Sequence, residues 1–316
     1  MVAAARFHRF AWLLLGYNLL VILWGAFVRA TGSGAGCGSH WPTCNGEVVP
    51  RATSTETVIE FTHRLSSALD GVLVLALLVW AFRVFPRRHP VRLAAVGSFV
   101  FLVSEALLGA GLVRFELVAD DASTARALVM AAHLVNTFLL LAWLAATAAW
   151  SRRAPDDRRR ALAAAADGPA AWVLAAALLA MLVLGVSGAV AALGDTLFPS
   201  GSFREGLARD FSPTAHVLLR LRIWHPVLAL GVGLGIAYAA AWLRRRRPQP
   251  EVRRWSAALV GLFALQLALG AANVLLAAPV WMQLVHLLAA DLVWICLVLL
   301  ALAALEPAAE PAGAPA

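Results

Sequence analysis

His63, His133, His225 and His286 each stand inside a long apolar stretch of the sequence. Ionisable side chains are costly inside a membrane, usually face the bundle interior, and by default mark function. One such histidine alone is explained equally well by a hydrogen bond to a neighbouring helix. A repeat makes that reading insufficient for four. With His63 and His225 as equivalents, the interval from Gly25 to His63 matches that from Gly188 to His225 to within one residue. The interval from His63 to Gly109 matches that from His225 to Gly270 equally well. The run Gly25-Ala26-Phe27-Val28 resembles Gly188-Ala189-Val190-Ala191, and the surroundings of Gly109 resemble those of Gly270. Two imidazoles on facing helices can ligate one metal centre from opposite sides. Haem iron suits imidazole, and a bundle interior can house a flat apolar macrocycle. Zinc would want a third or fourth ligand, and no Cys/His/carboxylate cluster at metal spacing supplies one. The pattern predicts two haem sites, one in each half of the chain.

The halves differ in one charged position. Glu60 lies three residues before His63, on the same helix face and one turn nearer the outer surface. Arg222 occupies the matching place before His225. A carboxylate beside only one haem predicts that one haem is acted upon and the other is a fixed cofactor. An i, i+4 ion pair between Glu60 and Arg64 is the plainer explanation, and the two are compatible. Cys37 and Cys44, two of three cysteines, stand seven positions apart in a glycine-rich outer loop, where an oxidising compartment predicts a disulfide. Cys296 reads as a small packed hydrophobe. His8 and His89, among arginines, read as surface residues, and His40 as a loop residue. His216, nine residues before His225, reads as structural, with a propionate contact as the alternative. No phosphate-binding loop, nucleophile elbow or metalloprotease helix is present.

These residues must be positioned by membrane helices. Of the 316 residues, 61% are hydrophobic and 14% charged, against roughly half and roughly 25% in soluble domains. That excludes a soluble enzyme, a disordered chain and a fibrous one. Apolar stretches reach the ~20 residues a bilayer crossing needs, at about 10–29, 58–82, 92–114, 126–150, 170–192, 220–243, 254–277 and 282–305. The net charge of +8 sits in short runs between them, around Arg6–Arg9, Arg83–Arg92, Arg152–Arg160 and Arg244–Arg254. This is the positive-inside pattern, so both termini are expected in the cytoplasm. It lacks the aromatic-interleaved basic face that nucleic acid binding uses. The first stretch reads as a retained span, not a signal peptide. The expected architecture is all-α: a four-helix half over 1–152, a cytoplasmic linker over 153–169, a second four-helix half over 170–305 and a disordered tail over 306–316. Pro226 directly after His225 predicts a kink at that histidine.

Taken together, the chain resembles the haem A synthase family. The resemblance rests on the loop Arg29-Ala30-Thr31-Gly32-Ser33-Gly34-x-Gly36-Cys37 with Trp41-Pro42-x-Cys44-Asn45-Gly46, on Glu60-x-x-His63-Arg64, and on His133, His225 and His286. It covers essentially residues 10–305 and looks like the bacterial subtype with a cysteine pair. It implies oxidation of the ring methyl of haem O to a formyl group, through successive hydroxylations and loss of water. His63 and His133 would hold the substrate haem, and His225 and His286 a permanent haem b with its iron. Glu60 would act at the reacting methyl, as a base or as a carboxylate that stabilises or traps a cation. Cys37 and Cys44 would form a disulfide, with a role as electron relay open. Arg64 and Arg222 would meet haem propionates. The implied setting is the bacterial cell membrane, with an electron acceptor the sequence does not name and a haem O synthase as supplier. Two other classes compete: a dihaem b-type electron carrier that leaves its haems unmodified, and a thiol-oxidising membrane protein built on Cys37 and Cys44. The Glu60/Arg222 difference favours the enzyme over the first, and the paired histidines favour it over the second.

Overall fold

The computed structural model describes residues 2–51, 54–152 and 168–305. The expected linker core and the expected tail from residue 306 lie outside the described residues. Among the described residues the chain is helical, with one short 3-10 turn at Ser33–Ala35 and no strand. The helices are α1 (Val2–Ala30), α2 (Thr55–Val84), α3 (Pro90–Arg114), α4 (Thr124–Trp150) and α5 (Pro169–Leu197). They continue with α6 (Phe203–Asp210), α7 (Val217–Arg222), α8 (Trp224–Arg246), α9 (Pro250–Leu275) and α10 (Val280–Ala304).

Eight stretches are long and apolar enough to cross a membrane, with α7 and α8 together making the sixth. Each agrees with an expected span, and most run past it into polar sequence. Hydropathy marks where a bilayer is tolerated, whereas backbone hydrogen bonding continues until a cap stops it. Ser54 and Ser123 accept hydrogen bonds from Thr57 N–H and Arg126 N–H and so cap α2 and α4. Proline at the first helical turn starts α3, α5 and α9, where a missing N–H costs nothing.

The sixth span corrects one expectation. The helix is interrupted at Ile223, not at His225. A proline ring clashes with the carbonyl four residues back and has no N–H to offer it. For Pro226 that carbonyl belongs to Arg222, where α7 ends. The break therefore falls before the histidine, and His225 sits within the first turn of α8.

In the first half α1, α2, α3 and α4 pack in a ring, so α2 and α4 stand across from each other. In the second, α5, α8, α9 and α10 do the same, with α8 opposite α10. This arrangement is compatible with two related four-helix units. The halves meet through α1, α4, α5 and α10. Helix α10 is the central element: 72% of its apolar window is buried, against 11% for peripheral α9. Trp294 of α10 stacks on Phe138 of α4 at 4.9 Å and donates its indole N–H to the Phe138 carbonyl at 2.6 Å. That bond satisfies a buried donor where no water reaches. Deeper in the first half, Asn18 of α1 donates to both oxygens of Asp70 of α2 at 2.8 Å, and both residues are buried.

Candidate haem sites

The outer loop between α1 and α2 is stapled by a Cys37–Cys44 disulfide, both residues fully buried. It is also pinned to the start of α2. Thr57 donates its hydroxyl to the Gly36 carbonyl at 2.7 Å, and a side chain at residue 36 would collide with the Glu56–Thr57 backbone. Glycine is required there for close approach. The Cys37 N–H donates to Glu60 Oε2 at 2.8 Å, while Arg64 donates to Glu60 Oε1 from Nε at 3.1 Å and also pairs with it through its terminal nitrogen. Arg64 reaches further, to the carbonyls of His40 at 2.7 Å and Thr43 at 2.6 Å. Glu60 and Arg64 thus form the expected ion pair, but inside the fold: Glu60 is 3% exposed, not at an open helix end. The disulfide loop, the carboxylate and the helix turn ahead of His63 are one hydrogen-bonded unit.

Three of the four histidines share one packing device, and the fourth has a looser version of it. A methyl group placed at Gly25 of α1 would lie 2.9 Å from the His63 ring on α2. At Gly188 of α5 it would lie 3.0 Å from His225 on α8, and at Gly270 of α9, 3.0 Å from His286 on α10. At Gly109 of α3 it would lie 3.8 Å from His133 Nε2 on α4. The glycines of the sequence repeat are therefore the surfaces against which the imidazoles lie. His225 and His286 face each other with ring centroids 6.4 Å apart and planes at 86°. His63 and His133 stand on opposite helices of the first ring.

The rings have different neighbours. His133 Nδ1 pairs with Glu105 Oε1 of α3 at 2.8 Å. The Thr137 hydroxyl donates to the same Glu105 oxygen, and Asn136 donates to Oε2 at 2.5 Å. Ser104 donates to Asn136 Oδ1 at 2.5 Å. In the second half the Gln266 amide meets His286 Nε2 at 3.2 Å, and the Ser187 hydroxyl meets His225 Nδ1 at 2.9 Å. Nδ1 of His63 and Nδ1 of His286 are buried without a partner. Glu105 is absent from the sequence-based candidates. Its signal was available, because it precedes Gly109 by the same interval as Gln266 precedes Gly270.

The donor set suits an iron porphyrin held between two imidazoles. Each half offers one histidine on each of two opposed helices, glycines keep the ring faces clear, and two ring nitrogens lack any protein partner. Among the described residues no group of three His, Cys, Asp or Glu side chains is placed to hold a metal ion, so the structure offers no closed zinc-type site.

Other candidates find different surroundings. Arg222 pairs with Asp195 at 2.5 Å and with Asp210, across the outer end of the second half. Arg29 donates to the Ala192 carbonyl at 2.7 Å and to Gln283 at 3.0 Å, joining the halves. His216 caps α7 through Leu218 N–H at 3.3 Å and packs on Phe198, in keeping with a structural residue. His40 is exposed on the loop, and Cys296 is a buried free thiol. His89 corrects the surface expectation: it is 3% exposed, because it caps α3 through Val91 N–H and packs on Phe85. His8 is half-buried and bonds Ser151 at 2.8 Å.

Residues 8–298 match the COX15-CtaA family, described as cytochrome oxidase assembly protein. Over 308 residues, 98% of its length, the chain is 50% identical to proteins named protoheme IX farnesyltransferase in two strains of Thermus thermophilus. It spans half the length of those relatives. Over 95 residues, 30% of either chain, it is 48% identical to a protein named heme A synthase from Bacillus cereus.

Proposed function

The chain belongs to the COX15-CtaA, haem A synthase family of multi-pass membrane proteins, and on that premise we propose that it oxidises the ring methyl of haem O to a formyl group. The observation that carries this reading is the pair of opposed imidazole sets, with the Glu105 carboxylate paired to His133 of the first set. His63 and His133 hold haem O as substrate, and His225 and His286 hold haem b as resident cofactor. Bound haem b supplies one-electron redox chemistry in the second half. Each hydroxylation by water removes two electrons and two protons from the methyl carbon, and loss of water from the doubly hydroxylated carbon leaves the formyl group. Each hydroxylation therefore requires a two-electron acceptor outside the chain, and haem b, if held by His225 and His286, would supply one-electron steps toward it.

Within this reading Glu60 stands one turn from His63, and its carboxylate is fixed by Arg64 and the Cys37 N–H. A fixed carboxylate suits either removal of a proton from the reacting carbon or stabilisation of a cation there. The buried disulfide holds the loop against that carboxylate. Arg64 and Arg222 already serve Glu60, Asp195 and Asp210, so propionate contact would add to these pairings. The arginine runs support a bacterial cell-membrane setting with both termini in the cytoplasm. The name and double length of the Thermus relatives support a haem O synthase as the supplying partner.

The test is chromatography of acid-extracted haem from the purified protein. Haem O or haem A beside haem b supports the synthase. Haem b alone, in cells that make haem O, overturns it in favour of a dihaem carrier.

A further inference from the structure

The two halves also differ at a position deeper than Glu60. Glu105 on α3 and Gln266 on α9 each precede, by the same interval, the glycine that packs on the histidine, and each contacts that histidine. One imidazole is held by a carboxylate at Nδ1, whereas the other meets a neutral amide at Nε2 and has no partner at Nδ1. We propose that Glu105 is a positioning residue for His133, holding its hydrogen at Nδ1 so that Nε2 faces the first-half haem as an electron-rich ligand, and that the Glu105/Gln266 difference sets the two haems at different potentials. The inference rests on the reading of His133 and His286 as axial ligands.

The geometry makes the assignment specific. Glu105 faces three donors, His133 Nδ1–H, the Thr137 hydroxyl and the Asn136 amide, and Ser104 orients that amide from behind. Asn136 spends its second N–H on the Phe101 carbonyl at 2.8 Å, which fixes which way the amide points. A carboxylate oxygen only accepts from these neighbours, so the ring nitrogen facing it carries the hydrogen and Nε2 keeps its lone pair. That nitrogen lies on the Gly109 side of the ring. A carboxylate on the remote N–H raises the basicity of a metal-bound imidazole and fixes its plane. Greater donation stabilises ferric over ferrous iron and lowers the potential. Gln266 offers His286 an amide contact at 3.2 Å and leaves its Nδ1 without a partner, so it contributes no such donation. With such a difference, electrons taken from the ring methyl of the first-half haem would run downhill to the second.

The experiment is a spectroelectrochemical titration of the full chain, purified with its haems, in wild type, Glu105→Gln and Glu105→Asp. Glu105→Gln is expected to raise the potential of the first-half haem, weaken its retention about 10–100-fold, and leave the second haem unmoved. Glu105→Asp keeps the charge but shortens its reach to His133 Nδ1, and is expected to raise the first-half potential by less than Glu105→Gln does. Unchanged potential and retention in Glu105→Gln overturn the proposal. If Glu105→Gln does not accumulate in the membrane, Glu105→Asp decides, and an unshifted first-half haem overturns it. Failure of the underlying assignment looks different: His133→Ala then keeps both haems with wild-type spectra.

Discussion

The backbone N–H of Cys37 donates to the carboxylate of Glu60, joining the disulfide loop to the helix turn that precedes His63. The carboxylate that distinguishes the first half is thus also the anchor of the loop above it. Glu60→Ala removes one partner of a buried ion pair and is expected to cost about 3–5 kcal/mol, releasing the loop. Glu60→Gln keeps an oxygen for the Cys37 N–H but loses the charge and turns an amide NH2 toward Arg64 in place of the accepting oxygen. Substrate haem is expected to stay bound in the Gln variant while haem A formed per mole of protein falls about 10²–10⁴-fold. Near-normal haem A in that variant leaves Glu60 a structural anchor and nothing more.

The disulfide gives a second expectation. Cys37 and Cys44 should resist alkylation until a reductant is added, since they are bonded and fully buried. Replacing both by serine removes a short closed loop worth about 2–3 kcal/mol in the chain-entropy account. Mass spectrometry of labelled peptides checks the first statement and thermal unfolding in detergent the second. Prompt labelling of both thiols in untreated protein contradicts the pairing.

Much of this architecture was legible in the sequence, and particular residues show why the rest was not. The spans emerge from hydropathy because a bilayer enforces it, and the four histidines emerge because charge-bearing groups are rare there. The burial of His89 did not emerge: neighbouring arginines suggest a surface, but capping α3 and packing on Phe85 draw the ring inward. The helix break lies two residues before His225, about half a turn earlier than the proline's neighbour suggests, because the proline's clash acts four residues back. Glu105 lies outside the matched glycine runs, and only its register with Gln266, each four residues before Gly109 and Gly270, ties it to the repeat.

A third prediction concerns the polar pair inside the first bundle. Asn18→Leu strands the buried Asp70 carboxylate and is expected to destabilise the fold by about 1–3 kcal/mol. Removing both partners in Asn18→Leu/Asp70→Leu leaves no unsatisfied group, so the double variant should recover most of that loss. A double-mutant cycle on thermal unfolding in detergent reads the coupling directly. A double variant as unstable as the two singles added together would show that the pair contributes through separate contacts.

The last prediction tests whether the glycines exist to clear the histidine rings. A methyl at residue 270 would meet the His286 ring at 3.0 Å, whereas one at Gly231 of α8 would meet nothing within 4 Å. Alanine favours a helix over glycine by roughly 1 kcal/mol, so Gly231→Ala should hold or raise stability with unchanged haem spectra. Gly270→Ala gains the same backbone preference but pushes the imidazole out of its rotamer, at about 0.5–1.5 kcal/mol. That corresponds to as much as about tenfold in haem affinity. The second-half haem should therefore bind more weakly with a shifted low-spin spectrum, while helix content and thermal stability stay at or above wild type. Gly188→Ala should do the same through His225, where the approach is equally close. Haem retention after dilution in detergent, set beside circular dichroism, separates the two effects. Wild-type spectra in both Gly188→Ala and Gly270→Ala would falsify the idea that these glycines shape a ligand site, and would return the histidines to simple helix packing.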